Sequence, residues 1–229
     1  MSSWKPRQIL CIVSFIGLLV SASAFARLES HATSDTPSTP LAELNNQLRI
    51  GDVIFIHVTP LPFEKVSEAT QSWVNHVGVV IDNSGSEAIV AESTFPFSRT
   101  TPISKFVRRS ELGRLAVARL ATPLTESQVR AIPVASGARL GVFYDTGFNL
   151  HSRGQYCSRF VREVLGDATG VSVGEVESFR TLLTRNPSTS LGFWHVWFFD
   201  RIPWERQTVT PASLYRSEQL HPIFDGRVG

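Results

Sequence analysis

Residues 155–166 have the sequence QYCSRFVREVLG, in which apolar side chains recur every three or four positions. Side chains with this spacing share one face of an α-helix. The positions on that face are Cys157, Phe160, Val161, Val164 and Leu165. Gly166 is a natural stop for such a helix. The stretch therefore predicts an amphipathic helix with Cys157 in its first turn.

The first turn of a helix is a favourable place for a nucleophilic cysteine. Its unpaired backbone N–H groups carry partial positive charge and favour the thiolate, which is the nucleophilic form. The same groups can hold the negative oxygen that develops during acyl transfer. The position suits catalysis, although an inert buried cysteine would fit the same pattern.

The N-terminus has the features of a targeting segment. Lys5 and Arg7 precede an apolar run at residues 9–20, and Ala24-Phe25-Ala26 supplies a cleavage pattern of two small residues. The run is too short to cross a bilayer comfortably as a helix. We predict a signal peptide over residues 1–26 and export to the periplasm or the medium, with a retained anchor as the alternative.

Cleavage would change the cysteine count. The chain has two cysteines, and Cys11 would leave with the signal peptide. Cys157 would then be a single thiol in an oxidising compartment, without an internal disulfide partner. It is expected to be inert and buried, reactive, or engaged in an intermolecular disulfide.

The remaining chain divides into a linker and one domain. Residues 27–49 are rich in small and polar residues and are predicted to be a poorly ordered linker, with a possible short helix near Leu41–Leu48. Residues 50–229 are predicted to be the folded domain. Strands are expected at 51–58, 75–82, 88–93 and 115–120, and helices at 63–73, 103–109, 125–140 and 175–185. Little regular βαβ spacing is present, which favours an α+β fold.

Composition excludes several classes of function. Of 229 residues, 42% are hydrophobic and 18% charged, and the net charge of +2 includes no long basic run. Four arginines are loosely clustered and are predicted to form a solvated face rather than a nucleic-acid-binding surface. They are Arg108, Arg109, Arg114 and Arg119. No motif for a cofactor is present, and the scattered histidines have no metal-ligand spacing.

A thiolate nucleophile needs a base, which is normally histidine. His31 in the linker and His221 near the C-terminus are poor candidates, and His195 lies among aromatic residues that favour a core position. His57 remains possible at the end of a strand. His151 lies close to the cysteine in sequence and is the main alternative to the candidate described next.

His76 has the most suitable setting. It begins a predicted strand, and Gly78 lies two residues on and hence on the same face, where it would leave room for substrate or for the cysteine helix. Glu92 ends the next strand within an apolar run, so its carboxylate must be exposed or paired. Pairing with the imidazole would orient the ring and stabilise its protonated form.

The turn between these strands predicts how the two side chains meet. A three-residue loop over Asn83–Gly85, with the glycine in the left-handed conformation, would pair Asp82 with Ser86. Glu92 would then lie directly opposite His76, with β-carbons about 4.5–5.5 Å apart. A loop longer by one residue would put Glu92 on the other face of the sheet.

Several blocks of the chain resemble one family in order. They are GDVIF at 51–55, NHVGVVI at 75–81, VAES at 90–93, YDTGF at 144–148 and QYCSRFV at 155–161. The chain, from about Ile50 to about His221, is similar to the YiiX/YebB-like cysteine hydrolases of the permuted NlpC-type papain-like superfamily. The tail at 197–214 resembles the YebB-like subgroup in particular.

The resemblance implies a fold and a set of roles. It implies an α+β domain of permuted papain-like type, with an antiparallel sheet and the nucleophile at a helix N-terminus. It implies Cys157 as nucleophile, His76 as base and Glu92 as the residue that aligns His76. Family members are expected to cleave amide or ester bonds in cell-wall peptides, lipids or modified side chains.

Three questions stay open at this point. Hydrolysis and acyl transfer would use the same residues, and a non-catalytic binding domain could keep the fold. The substrate is expected to be a small molecule, a peptide or a lipid. Membrane contact is undecided, because Trp194, Trp197 and Trp204 fit either a core or a lipid-facing patch.

Overall fold

The structure is a computed structural model that describes residues 38–186 and 189–229. The strands are β1 Val53–Ile56, β2 His76–Asp82, β3 Ile89–Glu92, β4 Arg99–Pro102, β5 Arg114–Leu120, β6 Val176–Ser178, β7 Gln207–Val209 and β8 Leu220–Arg227. The helices are α1 Leu41–Asn45, α2 Leu61–Thr70, α3 Ile103–Val107, α4 Glu126–Gly137, α5 Cys157–Thr169, α6 Phe179–Arg185, α7 Leu191–Trp197 and α8 Pro211–Tyr215. The expected α+β class is confirmed.

The main sheet is antiparallel and has the strand order β4-β3-β2-β1-β5-β8. Its central strand β1 is apolar on both faces, as its sequence predicted. Val53 and Phe55 pack in the same cluster as α5, whereas Ile54 and Ile56 pack in the cluster that contains α3. The sheet is therefore covered on both sides.

Helix α5 carries the cysteine at its first position, as expected, but it is longer than predicted. It ends at Gly170, which adopts the left-handed conformation with φ 77°, whereas Gly166 lies within the helix. The apolar face continues to Ala168, and that burial carries the helix through Gly166.

The hairpin between β2 and β3 differs from the predicted one. Val79 pairs with Ala91 and Val80 with Val90, but Asp82 pairs with Ile89, so that Ile81 is an extra residue in β2. The loop is longer than three residues, and Gly85 is not among the glycines with positive φ. The predicted register and the predicted conformation of Gly85 are wrong.

The bulge at Ile81 nevertheless places Glu92 on the predicted face of the sheet, which is the face that carries His76. Continuing the register of Val79 and Ala91 by one residue sets Glu92 opposite Gly78, two residues from His76. Glu92 and His76 are thus diagonal neighbours on one face. Had the register of the turn side continued without the bulge, Glu92 would have pointed to the opposite face.

The predicted linker is packed in its described part. Residues 38–49 contain α1, and Leu44 and Leu48 are buried in the cluster beneath α3. Order thus begins before Ile50, because these two leucines cover an otherwise exposed side of the sheet. The predicted signal peptide and residues 27–37 lie outside the described residues.

The C-terminal segment packs against the domain, as expected. Ile202 and Leu214 are buried, and Thr210 caps α8 with the reciprocal hydrogen bonds of a capping box, followed by Pro211. The segment predicted as a helix at 175–185 instead begins with β6, which pairs with β7 of this tail, and continues as α6.

Across the described residues, we find no helix with the length and apolar character required to cross a bilayer.

Candidate active site

Cys157 stands at the first position of α5 and is 3% exposed. The preceding residue, Tyr156, gives the helix no side-chain cap, so the N–H groups of the first turn are not occupied by a capping oxygen. The Tyr156 hydroxyl accepts hydrogen bonds from Thr208 Oγ1 and Val209 N, each at 3.2 Å. The start of α5 is thereby fixed to β7.

His76 and Glu92 form a buried pair. Nε2 of the imidazole lies 2.6 Å from Oε2 of Glu92, and the two side chains are 1% and 0% exposed. Glu92 also accepts hydrogen bonds from Thr101 Oγ1 at 2.7 Å and from Arg109 Nη2, which is 2.8 Å from both carboxylate oxygens. Three donors therefore fix the carboxylate against the ring.

Both members of the pair have shifted pKa values. For Glu92, burial raises the pKa, but His76 and Arg109 lower it by more than burial raises it, so that the pKa is about 2. For His76, burial lowers the pKa, whereas the Cys157 thiol and Glu92 raise it by more, to about 9. Near neutral pH the Glu92 carboxylate is thus ionised, and the His76 ring is an imidazolium, protonated on both nitrogens.

The other ring nitrogen, Nδ1, is buried and has no hydrogen-bond partner among the described residues. The thiol is nevertheless close enough to raise the pKa of the ring. The structure brings Cys157, His76 and Glu92 together, as the sequence predicted.

Tyr144 is a fourth member of this cluster that sequence analysis did not single out. Burial and the neighbouring Cys157 raise the pKa of its phenol well above its usual value. Its hydroxyl is buried without a hydrogen-bond partner among the described residues. The only signal for it in the sequence is its place in the block YDTGF at 144–148.

The alternative bases have other partners. His57 hydrogen-bonds to Trp73 O at 2.6 Å and to Glu64 at 3.0 Å, and His151 is exposed and bonds to Gln207 at 2.9 Å. These contacts occupy both ring nitrogens of His57 and Nε2 of His151.

The remaining histidines, His195, His221 and His31, lie away from the buried pair or outside the described residues. His195 is exposed and lies 3.2 Å from Asp200, so its expected core position is wrong. The aromatic side chains of α7 lie on different sides of this short helix, and His195 lies on its exposed side. His221 is also exposed, and His31 lies outside the described residues.

Three of the four arginines predicted to form a solvated face are partly exposed and bind carboxylates. Arg109 binds Glu92, Arg119 binds the buried Asp52 at 2.7 Å, and Arg114 binds Asp225 at 2.6 Å. Only Arg108 is exposed without a described carboxylate partner. Sequence spacing could not show these partners, because each lies on a distant segment.

Gly78 has a different role from the expected one. A β-carbon at this position would lie 2.5 Å from Val90 Cγ1 and 3.0 Å from Phe106. The missing side chain therefore makes room for the packing of β3 and α3, not for substrate or for the cysteine helix.

A groove of about 680 Å³ opens beside His76. Its charged lining residues are Arg99 and Arg109, and no acidic side chain of the described residues lines it. The remaining lining is largely apolar or aromatic and comprises Val58, Thr59, Pro60, Pro62, Phe63, Thr94, Phe95, Tyr144, Thr146, Phe148 and Trp197. Phe63, Tyr144 and Phe148 also line a small cavity at Cys157, so the groove and this cavity share these three rings.

The three tryptophans divide between core and groove. Trp194 is buried, Trp204 packs partly buried beside it, and Trp197 lines the groove with Nε1 bonded to Thr146 O at 2.9 Å.

No group of three or more His, Cys, Asp or Glu side chains in the described residues is arranged to hold a metal ion.

Known proteins similar to this chain share its fold. It is 25% identical over 177 residues to the uncharacterized protein YiiX of Escherichia coli K12, covering 77% of this chain and 86% of that protein. It is also similar to the crystal structure of YiiX from Escherichia coli O157:H7, which is described as a metalloprotein. The TM-score is 0.69 at 25% identity, over 79% of this chain and 99% of the other.

The family comparison covers most of the domain. Residues 47–224 match the family described as permuted papain-like amidases of the YaeF/YiiX type, C92. The YiiX structure is described as a metalloprotein, but the described residues of this chain offer no group of three or more His, Cys, Asp or Glu side chains that could hold a metal ion. With histidine on an early strand, cysteine at the start of a later helix and this match, the chain belongs to the YiiX-like family of permuted papain-like amidases.

Proposed function

We propose that this protein is a thiol hydrolase that cleaves an amide or ester bond through an acyl-enzyme on Cys157. His76 would serve as general base and acid, and Glu92 would orient it. One observation carries the proposal: the buried His76 is held by Glu92 through Nε2, while Nδ1 has no other partner among the described residues and the neighbouring Cys157 raises the pKa of the ring.

The tautomer follows from the charge on Glu92. An ionised carboxylate only accepts hydrogen bonds, so Nε2 must carry the hydrogen that it donates. In the neutral ring, Nδ1 then has a free lone pair. This nitrogen is the one that can take the proton of the thiol.

The reaction then follows in two halves. The thiolate of Cys157 forms a bond to the carbonyl carbon, and as the bond to the leaving group breaks, Nδ1 of His76 gives its proton to the departing amine or alcohol. A water molecule next attacks the thioester and gives its proton to Nδ1. The carbon–sulfur bond breaks, the acid leaves, and the thiolate is restored.

Two groups can stabilise the oxyanion that forms in each half. One is the set of uncapped N–H groups at the start of α5. The other is the Tyr144 hydroxyl, which is buried beside the Cys157 sulfur and has no oxygen or nitrogen acceptor among the described residues. A buried donor without a partner costs free energy unless a ligand satisfies it.

The groove supports an acyl group with apolar character, because most of its lining is aromatic or aliphatic. An acyl portion of a lipid or of a cell-wall peptide would fit this description. The pattern at residues 1–26 supports action outside the cytoplasm, where both kinds of molecule occur.

Intact-protein mass spectrometry tests the proposal. The mature protein would be incubated separately with extracted cell-wall peptides and with extracted lipids, and quenched in acid to trap a thioester. We expect an added mass on Cys157 in one of the two arms, absent from Cys157→Ala. Product release by Cys157→Ala at the normal rate, or no adduct and no product from either fraction, would contradict the proposal.

The same experiment separates hydrolysis from acyl transfer. Addition of a small amine such as glycinamide should leave the free acid as the main product of a hydrolase. A dominant acylated amine would indicate a transferase that uses the same residues. An intermolecular disulfide is disfavoured by the 3% exposure of Cys157.

A further inference from the structure

We propose that the groove beside His76 selects substrates that carry an anionic group, a carboxylate or a phosphate, and that Arg99 binds this group. The inference deepens the proposed function, since it concerns the substrate of the same site. It rests on the charges around Glu92 and on the absence of a hydrogen bond from the Arg99 guanidinium to the described residues.

The positive charges around Glu92 exceed its single negative charge. Arg109 lies 2.8 Å from the carboxylate, Arg99 3.8 Å and His76 2.6 Å. Even with a neutral imidazole, two guanidinium groups face one carboxylate, and the groove they line has no described acidic side chain. An anion is therefore the ligand that would balance this end of the groove.

Arg99 is the arginine that remains available. It lies opposite Glu92 in the pairing of β3 and β4 and hence on the same face of the sheet. Its Nε is too far from Glu92 for a hydrogen bond, and the guanidinium makes none to the described residues. The side chain is 50% exposed. Arg109, in contrast, uses its Nη2 to bind both oxygens of Glu92.

The chemistry of the ligand follows from these surroundings. A guanidinium offers five N–H donors in a planar fork that fits the two oxygens of a carboxylate or phosphate. Phe63, Phe95, Phe148 and Trp197 give the groove an apolar wall. The substrate would thus combine an apolar part with an anion located close to the bond that is cleaved.

Calorimetric titration of Cys157→Ala, which cannot turn over, tests this inference with three probes. N-benzoylglycine carries a carboxylate, N-benzoylglycinamide is its neutral counterpart, and phenyl phosphate carries a phosphate. Because a hydrogen bond to a charged group contributes about 1.5–3 kcal/mol, we expect the preferred anion to bind about tenfold more tightly than the amide, or better. The two anions distinguish a carboxylate from a phosphate source.

The preference should depend on Arg99. Arg99→Gln is expected to abolish the ratio between anion and amide, and Arg99→Lys to keep part of it. Arg130→Gln is the matched control, because Arg130 is an exposed arginine on α4 whose described carboxylate partner is Glu126. Equal affinities of anion and amide, no binding of either anion, or an unchanged ratio in Arg99→Gln would overturn the inference. A ratio that is lost in Arg99→Gln and unchanged in Arg130→Gln supports it.

A second measurement separates this inference from the proposed function. Iodoacetate and iodoacetamide both alkylate thiols, the first with a carboxylate and the second with a neutral amide. We expect Arg99→Gln to lower the ratio of the iodoacetate rate to the iodoacetamide rate at Cys157 severalfold. Binding with an anion preference but no turnover would contradict the proposed function alone. Equal hydrolysis of anionic and neutral acyl amides would contradict the anion preference alone.

Discussion

At the scale of single residues, the two main candidates for the base, His76 and His151, can be told apart by their partners. His76 is buried against Glu92, whereas His151 is exposed and hydrogen-bonded to Gln207. General acid–base catalysis contributes about 10²- to 10⁴-fold to a rate. We expect His76→Ala to lower kcat/KM by an amount in that range, and His151→Ala to change it little. The reverse result would show that the base is misassigned.

Arg109 is a positioning residue that acts through Glu92. It lowers the pKa of that carboxylate, so its loss should raise the pKa and move the acidic limb of the pH–rate profile to higher pH. Both contacts to Glu92 come from the single atom Nη2, which an ammonium group could replace. We expect Arg109→Met to shift the acidic limb and Arg109→Lys to restore most of its position.

A purely structural role for Arg109 would give a different result. Arg109→Met would then lower the yield of folded protein or its melting temperature, but the folded fraction would keep the wild-type pH profile. Arg108→Met is the matched control, since Arg108 is the exposed neighbour on the chain.

The residues that sequence analysis missed share one property. Arg109 and Tyr144 act through partners on other segments: Arg109 reaches Glu92 on β3, and Tyr144 lies beside Cys157 on α5. Local patterns report periodicity and spacing along the chain. They cannot show that a loop tyrosine and an arginine after a short helix meet the site. Cys157 and His76 could be predicted because the helix and the strand that carry them are visible in the local pattern.

At the scale of elements, the β2–β3 hairpin shows the same limit. The sequence predicted both strands and the shared face of His76 and Glu92, but it predicted a short loop and a direct pairing. The longer loop alone would have placed Glu92 on the wrong face, and the extra residue Ile81 corrects it. Loop length and bulge compensate for each other, so neither can be obtained from the turn residues alone.

Gly78 links this hairpin to the site, and it provides an element-scale prediction. An alanine there would place its β-carbon 2.5 Å from Val90 and 3.1 Å from the Ala91 carbonyl oxygen, which would push β3 away from β2. Overpacking of this kind costs about 1–3 kcal/mol. We expect Gly78→Ala to lower both the free energy of unfolding and kcat, because Glu92 moves with β3.

Gly85 in the same hairpin is the control for this substitution. Its φ is not positive, and a β-carbon there would meet only the Glu87 carbonyl oxygen at 3.8 Å, an ordinary contact. Gly85→Ala should therefore leave stability and kcat near their wild-type values in urea unfolding and in steady-state assays. Equal losses in both variants would show that the hairpin responds to any added side chain.

At the scale of the whole molecule, the site makes the stability of the fold depend on pH. The pKa of His76 is raised from 6.5 to about 9 in the folded protein, so its contribution is complete below pH 6.5 and is lost as the pH rises to 9. The pKa of Glu92 is lowered from 4.5 to about 2, so its contribution is complete above pH 4.5 and is lost as the pH falls to 2. Between pH 4.5 and 6.5 both contributions are present.

The alkaline side of the pH–stability profile tests the contribution of His76 separately from that of Glu92. We expect the melting temperature of the wild-type protein to fall between pH 6.5 and 9, by an amount that reflects a few kcal/mol for a shift of this size. His76→Gln keeps an amide that can donate to Glu92 but does not titrate, so its melting temperature should fall less over the same interval. Cys157→Ala removes the thiol that helps to raise the pKa of His76, so its decline should also begin near pH 6.5 but should end at a lower pH and be smaller than in the wild-type protein. Parallel curves for all three proteins would mean that His76 does not hold its proton in the folded state, and the acid step assigned to it would fail as well.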